Sequence, residues 1–184
     1  MALTPSNLMT VGTLAPDFTL SDTISDQMRS LQELKGTKGT VVMFICNHCP
    51  FVIHINALIV GLANEYKKQG IAFIAISSND VEKYPQDGPV LMKVHAIENE
   101  YPFPYLYDET QEVAKAYDAA CTPDIYVFDS TLKLYYHGQL DASRPGNEIA
   151  VTGNDIKKAF DLMLENKPYT EVFKPSMGCN IKWK

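Results

Sequence analysis

Nowhere does the sequence run about eighteen apolar residues without a charge, so it offers no membrane-spanning helix. Nor does it cluster its basic residues. A formal charge of −6, from 16 basic and 22 acidic side chains scattered along the chain, lacks the basic footprint of a nucleic-acid partner. The opening stretch "MALTPSNLMTVGTLAPDF" has no basic segment followed by an apolar one, so it does not read as a secretory leader, and a soluble, cytoplasmic protein is expected. Four cysteines in 184 residues are too few for a secreted disulfide framework. Repeats, low-complexity tracts and a convincing linker are also missing, which makes one domain over residues 1–184 the expectation for a chain long enough to bury its own core.

What the sequence does contain is "FICNHCPFV", Phe44 to Val52, with Cys46 and Cys49 in a C-x-x-C spacing. Before it, "GTVVMFIC" is a short β-branched apolar run, the pattern of a strand buried on both faces. After it, Phe51, Ile55, Leu58, Ile59, Leu62, Ala63 and Tyr66 recur at steps of three and four, predicting an amphipathic helix closed by Lys67, Lys68 and a Gly70 cap. The C-x-x-C therefore sits at a strand-to-helix turn.

The remaining pattern continues a βαβ grammar. "IAFIAISSND", Ile71 to Asp80, predicts a second buried strand, and a helix is expected from about Pro89 to Asn99. Asp108 and Gln111 are expected to cap a short helix reaching about Asp118. Ile125–Phe128 and Leu132–Tyr136 flank the turn "DST" as an antiparallel hairpin. A last helix spans roughly Asp155–Asn166 behind a Thr152-x-x-Asp155 cap, and Ser30-x-x-Glu33 starts a short helical turn ended by Gly36. "APDFTLSD" alternates Phe18 and Leu20 inward like an edge strand. The tail from Lys167 has no helical period and is expected to pack across the surface through Phe173 and Trp183. The fold class expected is α/β, with a central mixed sheet flanked by helices.

A cysteine in the first turn of a helix meets free backbone N–H groups and the positive end of the helix dipole, both of which favour a thiolate. On that ground Cys46, nearest the strand end, is expected to have a lowered pKa and to act as nucleophile, with Cys49 resolving a mixed disulfide from one turn away. His48 between them would support a thiolate when protonated, and Pro50 fits the first turn because its missing N–H would have no partner there. The bland alternative is a pair of inert core cysteines. "Thr122-Pro123-Asp124" precedes a buried strand, where a cis bond is one economical way to fit the proline. Cys121 comes near the pair only if that loop docks on it, and Cys179 only if the tail folds back. Each is otherwise an ordinary structural cysteine, and both stay open as resolving thiols. Arg144, one of two arginines, either orders a nearby loop through a carboxylate or serves the surface; His54, His95 and His137 fit no metal spacing. A four-cysteine metal site would show two C-x-x-C knuckles, and here there is one, so a metal-binding protein using Cys46, Cys49 and Cys121 or Cys179 is the lesser alternative to redox chemistry, for which no cofactor is expected.

Taken together, strand, C-x-x-C, helix, strand, helix, proline, hairpin and closing helix resemble the thioredoxin fold. "APDFTLSD" is similar to the redoxin branch, the alkyl hydroperoxide reductase/thiol-specific antioxidant group. "ICNHCP", "CTPD", "SRPG" and "GCNIKWK" look like its peroxiredoxin-like thioredoxin members, with the resemblance covering essentially the whole chain. It implies an antioxidant-type thiol–disulfide oxidoreductase acting on a protein disulfide, with a peroxidase as the alternative. Electrons would come from a thioredoxin-type or low-molecular-weight thiol reductant. It also implies that Thr122 and Pro123 form a cis-proline loop that takes the substrate backbone. The peroxidatic pattern P-x-x-x-T/S-x-x-C is absent: Cys46 and Val42 stand in the Thr/Ser and Pro places before Cys49, and Met43 and Gly39 before Cys46. Relative to thioredoxins, Ile45 replaces Trp, Asn47-His48 replaces Gly-Pro, and Thr40 stands where a buried acid is usual.

Overall fold

The computed structural model describes residues 3–184. Its strands are β1 (Leu3–Pro5), β2 (Thr19–Asp22), β3 (Gln27–Ser30), β4 (Gly39–Phe44), β5 (Ile71–Ser77), β6 (Tyr105–Tyr107), β7 (Cys121–Thr122), β8 (Asp124–Asp129), β9 (Leu134–His137) and β10 (Met177–Asn180). The helices are α1 (Leu31–Leu34), α2 (Pro50–Lys67), α3 (Pro89–Glu98), α4 (Glu112–Ala116) and α5 (Asn154–Leu164). Seven strands form a mixed sheet in the order β3-β2-β6-β5-β4-β8-β9, with β4 parallel to β5 and antiparallel to β8. Among the described residues no helix is long and apolar enough to cross a membrane.

The β4 run explains the two-sided core. Side chains alternate across a strand, so Val41 and Met43 join Ile55, Ile59, Met92 and Phe160 from α2, α3 and α5. Val42 and Phe44 instead join Leu31, Ala114 and Tyr117 on the opposite face. Helices thus cover both sides of the sheet, and the C-terminal ends of β4 and β5 emerge between them.

Several local expectations are corrected. β2 is not an edge strand, because β3 pairs along one side of it and β6 along the other. β5 ends at Ser77, and the buried Asn79 and Asp80 instead bond the C-terminal segment: Lys182 N to Asn79 Oδ1 at 2.9 Å and Asp80 N to Lys182 O at 2.8 Å. The Ser30/Glu33 capping box forms. The Thr152/Asp155 one does not: Gly153 is the cap, and the Asp141 carboxylate takes the amides of Thr152 and Gly153 at 2.7 and 2.6 Å. Gln111 is the N-cap of α4 but makes no side-chain cap bond: the Asp108 carboxylate takes the Ala114 amide at 2.9 Å, while the Gln111 side-chain amide spans the carbonyls of Ser78 and Lys182. The tail is not a loose surface wrap either. β10 pairs with β1 on one side and β7 on the other, in a small three-stranded sheet. Phe173 does pack, against Tyr136 and Tyr169, whereas Trp183 remains substantially exposed beside Lys115.

Candidate redox site

Cys46 stands two residues beyond the last residue of β4, in the loop before α2, and Cys49 is the helix N-cap with Pro50 just inside the helix. The cysteine at the helix terminus is therefore Cys49, not Cys46. Both are buried, with Cys46 2% and Cys49 0% exposed, and their sulfurs are in hydrogen-bonding contact.

The surroundings of the two sulfurs differ. Cys46 Sγ lies 3.6 Å from Thr122 Oγ1 and 3.9 Å from His48 Nδ1. The Cys49 thiol donates to the Thr122 carbonyl at 3.1 Å. The Thr122-Pro123 peptide is cis, and β7 brings it against the thiols from across the fold. The contact between the sulfurs pushes the Cys46 thiol up and Cys49 down; burial and the Asp87 carboxylate add to the rise at Cys46, while Thr122 and the Val52 and Cys179 amides favour charge on Cys49. This reverses the expectation of a lowered Cys46 pKa. The physical reason is position: the helix terminus and its amides lie at Cys49, and the nearest full charge to Cys46 is negative. While both thiols are protonated Cys49 donates to the Thr122 carbonyl; once the first proton is lost the charge rests on Cys49, and Cys46 keeps the second.

Asp87 is the residue that sequence reasoning missed. It is fully buried in the 3-10 turn Pro85–Asp87, where its carboxylate takes the Asn47 amide at 2.9 Å, Asn79 Nδ2 at 2.8 Å and His48 Nδ1 at 2.6 Å. Asn47 is further held by Gln86 O and by the Tyr105 hydroxyl. The available signal was an acid in the loop after β5, since such loops share the carboxyl edge of a parallel sheet with the loop after β4.

Cys46, His48 and Asp87 are the group of metal-type ligands that converges among the described residues, with ligand atoms within 4.8 Å of one another. Two ligands on one tetrahedral zinc stand about 3.3 Å apart, so the 2.6 Å contact between His48 and Asp87 is that of a hydrogen bond and the trio would have to open to hold an ion.

The other cysteines lie closer than the sequence could say. Cys179 on β10 is the register partner of Thr122, whose carbonyl accepts the Cys49 thiol, and is buried in the same core cluster as Cys46 and Cys49. Cys121 is buried next to it with its thiol directed to Pro123 O at 3.5 Å, and burial pushes its pKa up. Beside Pro123 lies a small pocket lined by Phe51, His54, Ile125, Leu140 and Arg144. Arg144 orders that loop without a carboxylate, bonding the carbonyls of Asp141 and Ser143 and Gln139 Oε1. His54 bonds Ser143, His95 meets Tyr101, and His137 is sealed in the core against Asp124.

This arrangement has relatives. A model of the AhpC/TSA family matches residues 11–137. No curated protein matches the chain. Among solved structures, an uncharacterized conserved protein from Geobacillus kaustophilus is 56% identical, with a TM-score of 0.98 over 100% of this chain and 97% of that one. A hypothetical protein from Sinorhizobium meliloti 1021 is 44% identical, with a TM-score of 0.95 over 98% of each chain. The thioredoxin domain of a thiol-disulfide oxidoreductase from Bacteroides vulgatus, at 19% identity and a TM-score of 0.62 over 82% of this chain and 98% of that one, shares the fold. With a mixed sheet covered on both faces by helices and a family match over more than half its length, the chain belongs to the AhpC/TSA family of thioredoxin-fold redoxins.

Proposed function

We propose that the protein is a thiol–disulfide oxidoreductase whose couple is Cys46-Cys49, working as one thioredoxin-like unit over residues 1–184 in the reducing cytoplasm. The observation that carries this reading is the convergence of both buried thiols on Thr122 of the cis Thr122-Pro123 loop, Cys46 Sγ at 3.6 Å from its hydroxyl and Cys49 Sγ at 3.1 Å from its carbonyl. Family membership supports thiol-based redox chemistry in general.

In the reduced enzyme the charge rests on Cys49, and Cys46 donates to it. As Cys46 sulfur attacks a substrate disulfide, its proton passes to Cys49; a Cys46–substrate bond forms, the substrate S–S bond breaks, and the departing thiolate takes that proton from Cys49, which is left as a thiolate. Cys49 thiolate then attacks Cys46, forming the intramolecular disulfide and releasing the second substrate sulfur as a thiolate, which takes its proton from solvent. Two electrons move from the pair to the substrate. A dithiol reductant of the thioredoxin type, or low-molecular-weight thiols, restores the pair by the reverse exchange. No bound cofactor enters. A substrate segment would pass over the small pocket beside Pro123, where Phe51 and Leu140 offer apolar contact.

Peroxide reduction is the less favoured reading. It needs a cation to polarise the peroxide beside the attacking sulfur, and the Arg144 guanidinium is spent on loop carbonyls and Gln139.

The test is to oxidise reduced protein with one equivalent of glutathione disulfide or hydrogen peroxide, map bridged peptides by mass, and assay reduction of a disulfide peptide by wild type, C46S and C49S. A rapid Cys46–Cys49 bridge with glutathione disulfide, loss of turnover in C46S, and a mixed disulfide trapped on Cys46 in C49S are expected. A C46S protein that turns over normally would sink the proposal. Fast sulfenic acid formation with peroxide alone would move the chain to the peroxidase class.

A further inference from the structure

The tail strand β10 occupies the open side of β7, the two-residue strand that delivers Thr122 to the thiols. Its fit there is close. A side chain at Gly178 would meet the Thr122 carbonyl oxygen at 2.0 Å and its carbonyl carbon at 2.7 Å, so only glycine lets the two backbones approach this way. One residue later Cys179 sits opposite Thr122, the residue whose carbonyl also receives the Cys49 thiol at 3.1 Å. The strand is anchored on both flanks, by β1 and by the bonds of Ile181 and Lys182 to Ala120, Asn79 and Asp80. Cys179 is therefore held directly across from Thr122, the residue that both site thiols bond, and it shares the packed core that contains both site cysteines.

We infer that Cys179 is a third redox thiol, which exchanges with the Cys46–Cys49 disulfide to give a Cys49–Cys179 disulfide and a free Cys46. The inference rests on the Cys46–Cys49 couple proposed above. In this step Cys179 sulfur attacks Cys49 sulfur, the Cys49–Cys179 bond forms, the Cys46–Cys49 bond breaks, and the proton of Cys179 ends on Cys46. One S–S bond replaces another, so electrons balance without a further oxidant. Burial pushes the Cys179 thiol up to about 11, which makes it a slow attacker, and its fixed position offsets that by making the attack intramolecular. The result is a form in which the oxidising equivalent is stored between α2 and the tail strand while Cys46, the thiol nearer solvent, is reduced again.

The experiment is disulfide mapping after treatment with glutathione disulfide in wild type, C46S, C46A and C179A. A Cys49–Cys179 peptide in C46S and C46A, its appearance beside Cys46–Cys49 in wild type, and its loss in C179A are the expected results. If C46S and C46A stop at glutathionylated Cys49 with Cys179 freely alkylated, the inference is wrong. That outcome is separate from failure of the couple itself, which would be read in wild type as absence of any Cys46–Cys49 bridge. Far-ultraviolet circular dichroism on each variant, matching wild type, establishes that the tail is still folded on its partners.

Discussion

The Asp87 carboxylate lies 2.6 Å from His48 Nδ1, and that same nitrogen is 3.9 Å from Cys46 Sγ. One ring nitrogen thus stands between a buried acid and a thiol. Asp87 both orients the imidazole and places a negative charge near Cys46, which opposes ionisation of that thiol.

Replacing Asp87 should therefore change stability and reactivity together. Asp87→Ala leaves the Asn47 amide, Asn79 and His48 without their acceptor, and the expected loss is about 2–4 kcal/mol in urea unfolding. With the carboxylate gone, Cys46 in an Asp87→Ala, Cys49→Ser protein should be alkylated faster by iodoacetamide than in Cys49→Ser alone. Equal rates would show that the carboxylate does not act on the sulfur.

The reduced wild type should show two unlike thiols at the pair. One reacts well below the ordinary thiol range and the other stays protonated above it, because the contact between the sulfurs stabilises the single anion. The sign for stability follows from proton counts. Between the low first pKa and the ordinary thiol value the unfolded chain holds more protons, so stability rises with pH; above the ordinary value the folded pair holds more, and stability falls. Urea unfolding of the reduced protein across pH 5–10, set against a C46S/C49S variant, should show the rise and fall in wild type alone.

Gly178→Ala tests the close seat of the tail. The added methyl meets backbone rather than a yielding side chain, so β10 must lift from Thr122 at a cost of about 1–3 kcal/mol. Thermal unfolding should report that loss, and the yield of the Cys49–Cys179 bridge should fall with it. An alanine variant as stable as wild type would mean that the two strands are not so closely held.

At the start of α5 the capping group is remote in sequence. Asp141→Ala should cost about 2 kcal/mol, because its carboxylate serves the amides of Ser143, Thr152 and Gly153, whereas Thr152→Ala should cost less than about 0.5 kcal/mol. Denaturation of the two variants side by side decides it, and the reverse order would restore the local Thr152/Asp155 cap.

How far the sequence reached can be seen at β4 and α2. The apolar run before Cys46 and the three-four period after it are local properties, and local propensity with burial is enough to make a strand, a turn and a helix there. The C-x-x-C at their junction, and the proline ahead of the hairpin, were legible for the same reason. What surrounds the two thiols was not. Asp87 reaches Asn47 across 40 positions, and Thr122 reaches Cys46 across 76, through loops and a two-residue strand whose sequences carry no periodic signal. The tail offered no helical pattern, yet pairing with β1 and β7 made it a strand and brought Cys179 to Cys49. The sequence by itself determined that a dithiol would stand at the end of a buried strand. Only the tertiary structure decided which buried acid, which cis-proline loop and which neighbouring cysteine would surround it, since charges and hydrogen bonds act through distances that chain separation does not encode.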